Sequence, residues 1–386
     1  MADVVDFPTI LVSEPSNAPA RVSTLELFFD LVFVFTITQL TSVLQTRPTL
    51  RGLLQVMLML AAIWWMYAGY AWLTNTVSAD RTSRRLLLLA GMASYLMLAL
   101  AIPHAFSGSG TAFGLAYLAI VLVHATLFTR SSSEGVVRAI LGLAPFNLAT
   151  ALLVLVAGVV GGTAEYVLFA AAVAIEWILP RLTSDSGYEI GPAHFVERHG
   201  LVVLIAIGES VVAVGMGARE LPIDLELVAV VVAGLALSVC LWWAYFGGDD
   251  ERAERALRET PFEQRPRLAV NAFGYCHFLI LLGIVAVAAT VHQATSHAFD
   301  ELANARAITL AGGVAVYLVG DALFRYSLGI GRGLLRLVCA AAVLATIPLG
   351  TAVAAEAQIV AIVVLLVACF VAEGVLGIPD RGAVAA

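Results

Sequence analysis

Lysine is absent from this chain; all 21 basic residues are arginine. Charge of either sign is scarce, 13% of residues, where soluble domains carry about a quarter. Hydrophobic residues reach 61% and mean hydropathy is +0.94, which excludes a soluble globular protein and implies a membrane protein. The four cysteines, Cys240, Cys276, Cys339 and Cys369, all fall within apolar runs. They read as small buried hydrophobes, not as a disulfide framework or a metal cluster. No Cys-x-x-Cys, His-Glu-x-x-His, Gly-x-Ser-x-Gly or lysine-bearing phosphate loop occurs. Gly329-x-Gly331-x-Gly333 has no preceding strand and reads as a turn. No metal or cofactor is therefore expected. The net charge of −7 comes without a basic stripe, so nucleic acid is not an expected partner; the lipid bilayer is.

What is present is a series of long apolar runs. Windowed hydropathy gives twelve spans: 25–45, 52–74, 85–106, 112–130, 138–160, 163–180, 199–218, 224–246, 267–291, 305–328, 332–352 and 356–378. Two divisions, near Gly161 and near Ala354, rest on short breaks rich in small residues. The arginines test the count. With both termini cytoplasmic, 17 arginines fall at the cytoplasmic ends of spans, and only Arg47, Arg51, Arg219 and Arg306 lie outside. That alternation is the positive-inside pattern of an all-α, multi-pass membrane protein. Residues 1–20 and 379–386 are expected as cytoplasmic tails. The first 20 residues lack an early apolar run, so no cleavable signal is expected and the first span is the targeting signal. The arginine-rich stretch 252–267 alternates with acidic residues and reads as a solvated linker or short helix, with a lipid-headgroup role as the alternative.

The chain also resembles itself. Trp64-Trp65-Met66-Tyr67 in span two has a counterpart in Trp242-Trp243-Ala244-Tyr245 in span eight, each before a charged cytoplasmic loop. Leu127-Phe128 pairs with Leu323-Phe324, and Ala164-Glu165 with Ala355-Glu356. Two parallel six-span repeats follow, 21–190 and 191–378, with a central site expected between them. The plainer reading of Trp-Trp-x-Tyr is a pair of interfacial aromatic belts.

Polar residues within the spans mark the candidate site. An acidic side chain at a span's centre costs roughly +2.5 to +3.5 kcal/mol, so each needs a partner, a wet cavity or the bundle interior. Glu209 and Ser210 in span seven, Thr38 and Gln39 in span one, and His277 in span nine stand at mid-depth. Asp30 lies nearer the cytoplasm, one helical turn beyond Glu26. His194, Glu197, His124, Glu176, Asp321 and Arg325 share that level as secondary candidates. Several have plainer readings. Ser23-x-x-Glu26 is a capping box, and Asp321 with Arg325 forms an i,i+4 pair. Thr36 and Thr38 can bond back to the preceding turn, His124 and His277 can be satisfied core histidines, and Glu176 can reach to the interface. Asp30 and Glu209 have no obvious local cation in the sequence. Gly110-x-x-x-Gly114 and Gly158-x-x-x-Gly162 are weak helix-packing signals.

Two long blocks carry a family resemblance. Glu26-Leu-Phe-Phe-Asp30 through Thr38-Gln39-Leu40, and His194-Phe-Val-Glu197 through Gly208-Glu209-Ser210, resemble the signature blocks of the low temperature requirement protein A (LtrA) family. The resemblance extends over nearly the whole chain and implies a bacterial multi-pass membrane protein, with no settled activity. It adds interest to His194 and Glu197; Arg198-His199-Gly200 follows where the family varies, so His199 inherits nothing from it.

The function expected from these residues is a secondary transporter of an unknown small molecule or ion. Removal from water favours the neutral form of a carboxyl, which suits Glu209 and Asp30 to proton or cation coupling. Thr38, Gln39, Ser210 and His277 would supply neutral contacts. Two alternatives stay open: an enzyme acting on lipid or an isoprenoid carrier through His194, Glu197 and Asp30, and an ion channel.

Overall fold

The computed structural model describes residues 22–76, 81–130, 134–182, 190–219, 221–331 and 333–376. The expected tails, and the loop arginines Arg21, Arg332 and Arg381, lie outside the described residues. Among the described residues, twelve helical spans are long and apolar enough to cross a membrane. Backbone polar groups have no partner in hydrocarbon, so an apolar chain satisfies them within helices. The first half comprises α1 (Thr24–Thr46), α2 (Leu50–Thr76), α3 (Thr82–Ala101), α4 (Gly110–Phe128), α5 (Glu134–Val160) and α6 (Gly162–Leu182). The second begins with α7 (Pro192–Ala218) and α8 (Leu225–Phe246), then the short α9 (Asp249–Glu259) and α10 (Arg265–Ala269). It ends with α11 (His277–Ser296), α12 (Asn304–Leu328), α13 (Leu334–Leu344), α14 (Ile347–Ala352) and α15 (Ala355–Val375).

Local chemistry sets the boundaries. Ser23 and Glu26 cap α1 reciprocally, the capping box read from the sequence. Both suspected breaks are real: α5 ends at Val160 before the positive-φ pair Gly161-Gly162, and α15 starts after the extended Ala354. The Gly329–Gly333 turn uses left-handed glycines at both ends (φ 69° and 60°), a conformation other residues rarely adopt. The stretch at 252–267 is mostly helical, and Ala253 and Leu257 of α9 are buried against the bundle.

Two departures concern continuity. The eleventh span is not one helix; it divides into α13 and α14 at Ala345–Thr346. Pro348 explains the break, because its ring clashes with the carbonyl four residues back, on Leu344, and it donates no hydrogen bond. The ninth span opens with a π-helical segment, Val270–Cys276, before continuing as α11. Its widened turn frees carbonyls that side chains take up: Trp64 Nε1 donates to Gly274 O at 2.8 Å, and His277 Nδ1 lies 2.9 Å from Ala272 O.

Packing follows the same order in each half. α1 packs on α2 and α3, and α7 on α8 and α11; α3 meets α4 as α11 meets α12. Next α4 meets α5 as α12 meets α13, while α6 returns to α2 as α15 returns to α8. Tyr117 of α4 lies 3.3 Å from Ala62 O of α2, and Tyr317 of α12 donates to Leu241 O of α8 at 2.7 Å. The halves meet through α1 and α2 against α7 and α11. Gly110 and Gly158 let α4 and α5 touch backbone to backbone: a Cβ on Gly110 would fall 2.7 Å from Gly158 Cα. Gly114 is equally tight against Leu155, whereas Gly162 meets nothing and serves the turn.

Candidate functional site

Glu209 lies on α7, 17 residues beyond Pro192, or roughly 25 Å along the helix. Thr38 of α1 donates to its Oε2 at 2.8 Å, a contact between the two halves. Thr38 also lies 3.4 Å from Val34 O, so its hydroxyl is shared between the preceding turn and the carboxylate. Thr36, two residues earlier, bonds only back to Phe33 O at 2.6 Å. Glu209, Thr38 and Gln39 are half-buried. Among the described residues Glu209 has no ion-pair partner, and Thr38 is its one side-chain donor.

Ser210 and His277 are not brought to this contact. Ser210 is buried, and its hydroxyl has no hydrogen-bond partner among the described residues. It stands eleven residues after His199 and seven before Gly217, both of which face α11, so helical periodicity turns it toward α11 as well. His277 is a satisfied core histidine, its Nε2 2.9 Å from the Tyr245 hydroxyl and its Nδ1 on Ala272 O. It sits in an aromatic box with Trp64, His199, Phe273 and Phe324, about three turns of α7 nearer that helix's N-terminus than Glu209.

Asp30 corrects an expectation. It does have a cation: Arg198 Nη2 donates to Asp30 Oδ1 at 2.7 Å, and Tyr67 Oη donates to the same oxygen at 2.7 Å. Arg198 Nη1 reaches Glu26 Oε1 at 3.0 Å and Thr74 Oγ1 at 2.7 Å. His194 Nε2 lies 3.1 Å from Glu26, so Glu26 is a helix cap and an ion-pair partner at once. Arg198 is 1% exposed and Asp30 fully buried. Glu197, between them in sequence, is exposed and takes no part. The set His194, Glu197 and Asp30 is therefore not assembled.

The remaining candidates separate. Glu176 does not reach to the interface; it is buried, and Tyr117 Oη donates to its Oε1 at 2.6 Å. His124 is buried between Tyr70 and Phe128, its ring against Gly69. Asp321 has its i,i+4 ion pair with Arg325, whose Nε stands 3.9 Å away, and a closer partner in Arg336. Arg325 also holds Asp249 at 2.6 Å and Glu373 at 2.9 Å, and Arg336 reaches Glu373 at 3.2 Å and Ala244 O at 2.7 Å.

Arg198, Tyr67, Arg336 and Asp249 are thus the polar residues that sequence reasoning missed, and Glu373, which the sequence puts at the same level as Asp321, joins them. For Arg198 a signal existed. Glu26 with Asp30, and His194 with Arg198, are both i,i+4 pairs of opposite sign on helices of like direction. Arg336 had no comparable signal, because its partners are 15, 37 and 87 positions away in sequence.

The model of the bacterial low temperature requirement A protein family matches residues 21–371, which includes both signature blocks and every helix of the central contact. An uncharacterized protein of Rhizobium meliloti (strain 1021) is 27% identical over 313 residues, covering 76% of this chain and 75% of that protein. The chain belongs to the bacterial low temperature requirement A (LtrA) family.

Proposed function

We propose that this LtrA-family protein is a secondary transporter built from two parallel six-span repeats, with its binding site where α1 meets α7. The contact between Thr38 and Glu209 carries this reading. Thr38-Gln39 and Glu209-Ser210 occupy corresponding places in the two signature blocks, and corresponding positions approach each other directly only near a two-fold axis. The shared packing order of the halves supports the same relation. In this reading both termini are cytoplasmic, the membrane is the bacterial inner membrane, and Glu209 is the charge-bearing ligand with Thr38 and Gln39 beside it. Asp30 belongs to the ionic tie with Arg198 instead.

The test is dye-reported proton and alkali-cation flux in proteoliposomes under an imposed pH gradient. A charge-assisted hydrogen bond is worth ~1.5–3 kcal/mol, so Glu209→Gln is expected to slow flux by about tenfold or more. Thr38→Val is expected to slow it less. Equal flux in wild type and Glu209→Gln would overturn the reading.

A further inference from the structure

The face of α1 that carries Thr38 changes character along its length. Phe28, Leu31, Phe35, Thr38, Ser42 and Gln45 recur at alternating spacings of three and four, so they form one stripe. Its cytoplasmic part is apolar, and Phe28 and Leu31 are exposed as lipid-facing residues are. From Thr38 outward it is polar: Thr38, Ser42 and Gln45, with Gln39 alongside, are all half-buried. A Thr-Ser-Gln stripe gains nothing from acyl chains, whereas the Phe-Leu part does. The change of medium falls at the level of Glu209.

Toward the cytoplasm the stripe itself becomes apolar at Phe35, Leu31 and Phe28, and the opposite face of α1 is packed: Phe33 has ring centroids of Trp64 and Tyr67 6.3 and 4.1 Å away, with the His199–His277 box beside them. Below stands Arg198, eleven residues or roughly 16 Å before Glu209 on α7, tying α7 to α1 and α2. The charges have one sense. Glu209 is an uncompensated carboxylate among neutral oxygens, and the outer ends of the helices and loops carry seven acidic residues against four arginines.

We propose that Glu209 takes a small monovalent cation, an alkali ion or a protonated amine, which reaches it from the outer face along the polar stripe of α1. The cluster centred on Arg198 is the closed cytoplasmic gate of that path. One carboxylate with hydroxyl and amide oxygens suits a single hard positive charge better than a divalent ion or an anion. The inference rests on the transporter reading for the place of the site, yet it is read out by access and binding, without transport.

The experiment labels Ser42→Cys in the full chain with a membrane-impermeant maleimide, in right-side-out and inside-out vesicles; wild type, whose four cysteines are buried, is the control. Sodium, lithium, potassium and ethylammonium are added separately, which distinguishes an alkali-ion site from an amine site. Labelling is expected from the outer side only. A cation at ten times its Kd should slow it about tenfold by mass action. Glu209→Gln should keep the labelling and lose the protection, and Arg198→Gln should admit the reagent from the cytoplasmic side. Labelling by a lipid-soluble maleimide alone, labelling of the wild-type gate from inside, or protection that survives Glu209→Gln would each overturn the proposal. Gln45→Cys serves as a second probe if Ser42→Cys does not fold. Flux that fails while protection holds would sink transport and leave the cation site standing.

Discussion

Two buried arginines stand toward the same end of the bundle, and they bind their carboxylates in different ways. Arg336 and its neighbour Arg325 hold Asp249, Asp321 and Glu373, all from the second half. Arg198 holds Glu26 and Asp30 from the first half while itself belonging to the second. One cluster is a knot within a body; the other is a tie between bodies. A knot can be permanent, but a tie between halves must break whenever the halves move apart. The tie is correspondingly thinner, with one arginine where the knot has two. Burial makes both expensive to disrupt, because a charge left without its partner in a low-dielectric interior costs far more than the intact pair contributes.

The largest effect is expected at the knot. Arg336→Met strips Asp321 of its close partner and leaves Arg325 facing three carboxylates, a loss of ~3–5 kcal/mol typical of a broken buried pair. Arg198→Met should cost less, about 2–3 kcal/mol, because Glu26 retains His194 and the Ser23 cap, and Asp30 retains Tyr67. Thermal unfolding in detergent checks the order. If Arg198→Met unfolds the protein and Arg336→Met does not, the tie is structural and the distinction fails. Asp30→Asn combined with Arg198→Gln should recover part of the loss, since neither charge is then stranded.

The same contrast shows what was legible in the sequence. Span number, helix class and the breaks at Gly161 and Ala354 follow from run length and small-residue punctuation, and all appear in the fold. The ionic clusters do not follow. Counting arginines by topology treats Arg198 as a loop residue, but α7 begins at Pro192, so Arg198 is already a turn and a half into the helix and facing inward. For Asp321 the sequence shows one of two partners. Arg325 is its natural i,i+4 partner in sequence, yet Arg336 arrives from the next helix through the Gly329–Gly333 turn and sits closer. The π-helical segment has no sequence mark, because the donor to its Gly274 carbonyl, Trp64, stands 210 positions away in sequence. The contact of Thr38 with Glu209 joins two positions singled out in the sequence, a mid-span carboxylate and a hydroxyl at the corresponding place in the other signature block.

A smaller difference separates two tyrosines at matching places in the halves. Tyr117 serves the buried Glu176 as well as approaching Ala62 O, while Tyr317 serves only the Leu241 carbonyl. Tyr117→Phe removes the 2.6 Å donor of the buried Glu176 Oε1 and leaves that carboxyl with the Thr150 hydroxyl, at a cost of ~1–3 kcal/mol. Tyr317→Phe removes one ordinary hydrogen bond to a helical carbonyl, worth ~0.5–1.5 kcal/mol. Equal shifts in melting temperature would mean that the two halves hold their fourth helices alike, and that Thr150 suffices for Glu176.

The smallest effect belongs to Glu197, and it sharpens the comparison from inside a single turn of α7. His194 and Arg198 flank it in sequence and both enter the tie, but Glu197 projects from the exposed side of the same turn. A surface substitution away from caps, ion pairs and packing moves stability little. Glu197→Gln should therefore leave the melting temperature unchanged and keep flux at the wild-type level, although it lies in the same signature block as Glu209. A strong loss of flux with an unchanged melting point would instead give Glu197 a part on the surface of the bundle that the tie beneath it does not provide.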